Sequence, residues 1–142
     1  MNTAANAKLK NLDPFFHAIK DGLKGLVDGD HFFDMLDSGA TYEFRYSFPG
    51  LPKKITGSKE LIAFFEAHAD VEILERYSGL VLHKTLDPAV VILEYEVHGK
   101  SAAGKVYDNR FCSVITIKDR KIVYWRDYCD SLGAMNSLGK SD

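Results

Sequence analysis

With 142 residues, 46% apolar and 27% charged, the chain is long enough to bury one core without disulfides or metal. A net charge of −2 gives no electrostatic footprint for nucleic acid or an anionic membrane. No apolar run reaches membrane-spanning length, and residues 1–10 lack the apolar core of a secretory signal, so a cytoplasmic protein is expected.

No repeat, low-complexity tract or Pro/Gly linker divides the chain, so residues 1–142 are read as a single domain. Cys112, Cys129 and the five histidines make no metal-ligand spacing, so neither a metal nor a cofactor is expected.

Residues 2–10 read as a frayed lead-in. Asp13-Pro14 signals a helix start, with Asp13 as N-cap and Pro14 at the first helical position. Phe15, Phe16, Ile19, Leu23, Leu26 and Val27 follow at helical spacing, and Gly29 ends the run. Asp30 is expected to cap a short second helix over 31–36. Residues 41–47 alternate as a strand, and Pro49-Gly50-Leu51-Pro52 is a loop. Ser58 is expected to cap a third helix over 59–68.

From Val71 the period changes. Residues 72–77 and 80–86 suit one long strand, bulged near Ser78-Gly79. Strands over 89–98, 105–118 and 122–129 follow. Asp119-Arg120 reads as a two-residue hairpin turn. Asp130 or Ser131 then caps a terminal helix with Leu132, Met135 and Leu138 as its apolar positions and Gly139 at its end. Helices followed by an antiparallel meander predict an α+β fold, with helices on the concave face of a curved sheet and a pocket between them.

The turn at Asp119-Arg120 pairs Lys118 with Lys121 and, in an unbroken ladder, sets Val114 opposite Trp125, Cys112 opposite Asp127 and Arg110 opposite Cys129. Asp127 then shares an apolar face with Val123 and Trp125. The other face is apolar as well, so it requires a cover, most simply the sheet of a second copy in a homodimer. A three-residue loop at 101–103 would set Glu94 opposite Arg110 and Glu96 opposite Asp108, on the same face as Asp127. Carboxyls gathered there cannot all ionise cheaply, and two with separated pKa values form an acid/base pair. Arg110 or Arg45 would balance the charge. The plainer alternatives are a solvated face for Glu94 and Glu96, an ion pair of Asp127 with Arg126 or Arg110, and small core cysteines.

The order of three helices and a curved meander resembles the nuclear-transport-factor-2-like (NTF2-like), cystatin-like α+β cone, over nearly the whole chain. The segment Ile-Lys-Asp-Arg-Lys-Ile-Val-Tyr-Trp-Arg-Asp-Tyr-Cys-Asp, from Ile117, is similar to the final hairpin of SnoaL-like polyketide cyclases and limonene-epoxide hydrolases, which also carry Trp-Arg-Asp-Tyr. Tyr107-Asp108-Asn109-Arg110-Phe111 resembles the preceding strand of SnoaL-like proteins. The resemblance makes Asp127 the pocket acid. The Arg-x-Asp of the epoxide hydrolases falls on Glu94-Tyr95-Glu96, where Glu96 keeps a base and Glu94 loses the arginine. Their Tyr-x-Asn pair has no clear counterpart; Arg45 and Tyr46 occupy that region. Phe15 and Phe16 stand where ketosteroid isomerases place a tyrosine. The resemblance implies a cofactor-free enzyme acting on a hydrophobic small molecule, by isomerisation, cyclisation or water addition. Asp127, Glu96 and Glu94 would be catalytic; Trp125, Arg110, Arg45 and Tyr46 would bind substrate. The alternative from another class is a ligand-binding or scaffold protein without chemistry.

Overall fold

A computed structural model describes residues 7–138; residues 2–6 of the expected lead-in and the expected helix end at Gly139 lie outside them, whereas residues 7–10 of that lead-in are helical, running into a 3₁₀ turn over Lys10–Leu12. Helix α1 spans Asp13–Gly22, with Pro14 in its first turn and Phe15, Phe16, Ala18 and Ile19 buried. Leu12 occupies the cap position, and Asp13 lies within the helix. The helix stops well before Gly29: Leu23, its C-cap, leaves the helical region at φ −98°, ψ 9°, and Gly25 follows at φ 84°, which prevents it from resuming. The segment expected as a second helix is one 3₁₀ turn, Phe32–Met35. His31 caps it in place of Asp30: its Nδ1 accepts from the Phe33 amide at 3.1 Å, and Asp34 Oδ2 accepts from the His31 amide at 3.2 Å.

Strand β1 begins directly afterwards, Leu36–Phe44. A three-residue strand β2, Lys54–Thr56, pairs with it; three residues are too few to show alternation in a sequence. Helix α2 is Ser58–His68, with Gly57 at the cap position expected of Ser58. The meander follows as β3 (Glu72–Lys84), β4 (Val90–Ser101), β5 (Val106–Lys118) and β6 (Lys121–Cys129). Helix α3, Ser131–Leu138, closes the described chain. Asp130 caps it, accepting from the Gly133 amide at 2.9 Å. Its Leu132 and Met135 are at the surface, and Ala134 is the buried contact.

The sheet order is β2-β1-β6-β5-β4-β3. Strand β1 runs parallel to β6, and every other pair is antiparallel. The result is the expected α+β cone, with one face of the curved sheet turned to the helices. On β4 that face carries Val91, Leu93, Tyr95 and Val97, all buried. Helix α1 lies against β3 and β4. Gly22 permits the approach: a Cβ there would lie 2.7 Å from Leu93 Cδ2. Phe15, Phe16, Phe32 and Phe65 form an aromatic layer with ring centroids 5.7 to 6.1 Å apart. Each such pair contributes about 0.5–1.5 kcal/mol beyond its buried area.

Register shifts interrupt β1 between Leu36 and Thr41, β3 between Leu74 and Arg76 and again between Ser78 and Val81, and the β5–β6 ladder at Thr116/Ile117. In β3, pairing jumps between Ser78 and Val81, where Gly79 takes φ 64°, as the sequence led us to expect. In β6 an unexpected bulge occurs. The turn does pair Lys118 with Lys121, with Asp119 and Arg120 both at positive φ. Ile117 then pairs with Ile122, but Thr116 pairs with Tyr124, so Val123 is an extra residue. One extra residue exchanges the two faces for everything beyond it.

Candidate functional site

Because of that bulge, Asp127 pairs with Ser113, Trp125 with Ile115, and Cys129 with Phe111. The sequence-based register of Cys112 against Asp127 is therefore corrected by one position. Asp127 points into the cone, on the same face as Ser113, and is 1% exposed. Its Oδ1 accepts from Ser113 Oγ at 2.7 Å and from Trp125 Nε1 at 3.0 Å. The Tyr42 hydroxyl also acts on the carboxylate. Since Ser113 spends its only proton on Asp127, the Tyr95 hydroxyl must donate to Ser113, at 3.0 Å. A relay thus runs from Tyr95 through Ser113 to Asp127, entirely buried.

Burial pushes the Asp127 carboxyl up to about 6, against the pull of Trp125, Ser113 and Tyr42. Desolvation wins because three donors replace only part of the water a carboxylate would hold. Trp125 itself is fully buried, stacked on Tyr42 with centroids 5.5 Å apart and edge-on to Phe32 at 5.4 Å. It holds the carboxylate from behind and is not part of the cavity wall.

In front of Asp127 lies a cavity of about 210 Å³, walled mainly by Phe15, Phe44, Phe48, Phe64, Phe65 and Phe111. Tyr46 lines it too, half-buried, its hydroxyl held in the neutral form by burial and by the charge of Asp127. Burial pushes the neighbouring Cys129 thiol up to about 12. Ala134 and Leu138 of α3 form part of the wall.

The cavity also holds a carboxyl that the sequence reading passed over. Glu72, the first residue of β3, lines it, and desolvation raises this carboxyl to about 7 against the pull of the Tyr107 hydroxyl. The Tyr107 hydroxyl accepts from Asn109 Nδ2 at 2.8 Å. Asn109 Oδ1 in turn accepts from the amides of Arg110 and Asp130, at 2.8 and 2.9 Å. Glu72 and Tyr107 stand 35 positions apart in sequence, and nothing local to either announces the pairing.

The remaining sequence candidates stand on the other face of the sheet. Glu94 pairs across the ladder with Cys112, and Glu96 with Arg110. The expected register, Glu94 against Arg110 and Glu96 against Asp108, is thus off by two positions; an even shift keeps Glu94, Glu96 and Arg110 on one face, but the β6 bulge puts Asp127 on the opposite one. Glu94 is an exposed partner of His83 at 2.7 Å. Glu96 and Arg110 border an outer polar cleft with Arg76, His98 and Asp108. In that neighbourhood His98 Nε2 meets Ser78 Oγ at 2.6 Å and Nδ1 meets Asp108 at 2.7 Å. Asp108 is 63% exposed and His98 17%, so this network opens to solvent at Asp108. Arg45 bonds Glu43 at 2.7 Å and lies 5.9 Å over the Tyr128 ring, also outside. The structure therefore brings together Asp127, Tyr46 and Trp125 from the expected set, and leaves Glu94, Glu96, Arg110 and Arg45 apart from them. Cys112 and Cys129 are both free thiols, on opposite faces.

Comparison with known proteins agrees with this architecture. Residues 19–125 match the SnoaL-like domain family. The uncharacterized protein YesE of Bacillus subtilis (strain 168) is 28% identical over 109 residues, 76% of this chain and 74% of that protein. A solved Bacillus subtilis structure, provisionally assigned as an isomerase, superposes with a TM-score of 0.74 at 25% identity, covering 99% of this chain and 98% of that one. An NTF2-like protein from Anabaena variabilis ATCC 29413 superposes with a TM-score of 0.61 at 23% identity, over 87% and 91% of the two chains.

Proposed function

Since the chain belongs to the SnoaL-like domain family, with the NTF2-like cone, we propose that it is an enzyme that moves a proton on a small hydrophobic substrate, using Asp127 and no cofactor. One observation carries the proposal: a buried carboxyl, raised to about 6 by desolvation, faces an apolar cavity while two donors hold one of its oxygens. Near neutral pH such a group interchanges between acid and base, which suits proton transfer best. Oδ1 is fixed by Ser113 and Trp125, so the travelling proton is carried at Oδ2. As carboxylate, Oδ2 takes a proton from carbon beside a carbonyl, or from water; as acid, it returns one to carbon or oxygen. Tyr46, a phenol that stays protonated, would donate to the substrate oxygen where charge develops. Isomerisation, cyclisation and water addition all use this step.

The reading includes a homodimer through the outer face of the sheet, where Val90, Ile92, Val114 and Tyr124 are half-buried within one chain. Sedimentation at micromolar concentration tests that part, and monomer alone would refute it. The chemistry is tested by a turnover screen of ketosteroids, epoxides and polyketide-like esters. Asp127→Asn should lower any activity found by about 10²–10⁴-fold. Turnover unchanged in that variant would refute the role of Asp127. Binding without turnover across the screen would leave a ligand-binding role.

A further inference from the structure

We infer that Glu72, Tyr107 and Asn109 form a second polar subsite in the cavity, remote from Asp127, which takes a hydroxyl or amine carried by the ligand. The inference rests on the reading of the cavity as a ligand site and adds to it the ligand's second polar end.

Three observations converge. The first is placement. Glu72 and Asp127 open into one cavity, yet they hang from different parts of the sheet. Asp127 is anchored on β5 by Ser113, whereas Glu72 shares the cavity wall with Tyr107, which is tied to Asn109. Ser113 and Asn109 are four positions apart, so the two anchors are separated by roughly 13 Å of strand. A ligand that engages both is therefore elongated, apolar in the middle and polar at its ends.

The second is construction. Asn109 is 3% exposed and Tyr107 3% exposed. Asn109 Oδ1 is fixed by two backbone amides, so its amide nitrogen can only point toward Tyr107. Tyr107 thereby accepts from Asn109 and keeps its own proton free on the cavity side, where Glu72 also lines the wall. Each bond fixes the direction of the next, as in a site held rigid before a ligand arrives.

The third is chemistry. Glu72 is half-buried on the wall of an apolar cavity, so its carboxyl is partly desolvated and gains from any further donor placed beside it. The ligand's hydroxyl or ammonium would supply that donor, with Tyr107 beside it. An amine would bind the ionised form most strongly, through a charge-assisted hydrogen bond.

The test uses three probes of one shape: 1-methylnaphthalene, 1-naphthalenemethanol and 1-naphthylmethylamine. Their affinities for the full-length protein are measured by calorimetry at pH 8. The alcohol and the amine should bind at least about 10-fold more tightly than the hydrocarbon, a difference of roughly 1.4 kcal/mol. Glu72→Leu should abolish both preferences. Glu72→Gln should keep the alcohol preference and lose most of the amine preference, and Asp127→Asn should keep both. Thermal melting of each variant checks that it is folded, and Glu72→Gln, nearly isosteric, carries the test if Glu72→Leu does not fold. Equal binding of all three probes to the wild type would overturn the subsite while leaving the cavity as a ligand site. Preferences that follow Asp127 instead of Glu72 would also overturn it. Failure of all three to bind would overturn both the subsite and the ligand-site reading.

Discussion

Ser113 donates to Asp127 at 2.7 Å while accepting from Tyr95 at 3.0 Å, so the orientation of a single hydroxyl links two buried polar groups. Ser113→Ala should raise the Asp127 pKa above about 6, because the ionised form loses a donor. It should also cost about 1–3 kcal/mol by leaving the Tyr95 hydroxyl buried without a partner. Adding Tyr95→Phe should recover part of that loss, since removing both partners costs less than removing one. Urea unfolding of the two single variants and the double variant measures the coupling.

Asp127 itself should weaken the fold at neutral pH. Its folded pKa lies above the ordinary aspartate value of 3.8, so the native state binds the proton more tightly than the unfolded chain does. Stability is then highest below about pH 4, falls as pH rises through about 6, and is flat above that. The span corresponds to roughly 3 kcal/mol as an upper bound. Glu72, raised to about 7, acts with the same sign over a higher window. Asp127→Asn keeps an oxygen for Ser113 and Trp125 and should remove the slope near pH 4 and roughly half of it between about 4.5 and 6, where Glu72 supplies the rest. Unfolding curves for both proteins across pH 3.5–8 check this; parallel curves would show that Asp127 is not the cause.

Catalysis should separate the two faces of the sheet. If Asp127 is the working carboxyl, Glu94→Gln and Glu96→Gln should change turnover by less than about 2-fold, within the small effects usual for solvated surface positions. A loss as large as that of Asp127→Asn in either variant would return the outer cleft to consideration. Steady-state rates on any substrate recovered from the screen decide it.

Deleting Val123 should remove the bulge and restore an unbroken ladder from the Asp119-Arg120 turn. Trp125 and Asp127 would then have to face outward, or the strand would have to re-form its bulge elsewhere. Exposing Trp125 alone should cost on the order of 3–5 kcal/mol, by analogy with truncating a buried tryptophan. Denaturant midpoint and near-ultraviolet circular dichroism of the Trp125 band report the outcome.

Much of the fold was readable in the sequence because local signals and tertiary demands coincide. The alternation of residues 90–98, the Asp119-Arg120 turn and the Gly79 bulge are all where the pattern put them. Asp127 stood out as a carboxylate in an apolar strand. Its surroundings could not be read, because Val123 offers no glycine or other cue to a bulge, and a register error of one residue swaps entire faces. Glu72 was missed for a different reason. A glutamate opening a strand is unremarkable until Tyr107 and Asn109, distant in sequence, are brought to it by the β3–β4–β5 pairing. The cap of the 3₁₀ turn shows the same limit on a smaller scale, since His31 rather than Asp30 was in reach of the amides.

The bulge at Val123 makes parity a property of the site. From Arg120 to Asp127 the number of residues matters more than their identities, because it alone determines whether the carboxyl meets the cavity or the solvent. Substitutions along that stretch change the cavity gradually, whereas a single insertion or deletion would either turn the end of β6 outward or force the bulge to form elsewhere. A designer grafting this hairpin onto another cone would therefore have to carry over its count of residues as well as its Trp-Arg-Asp.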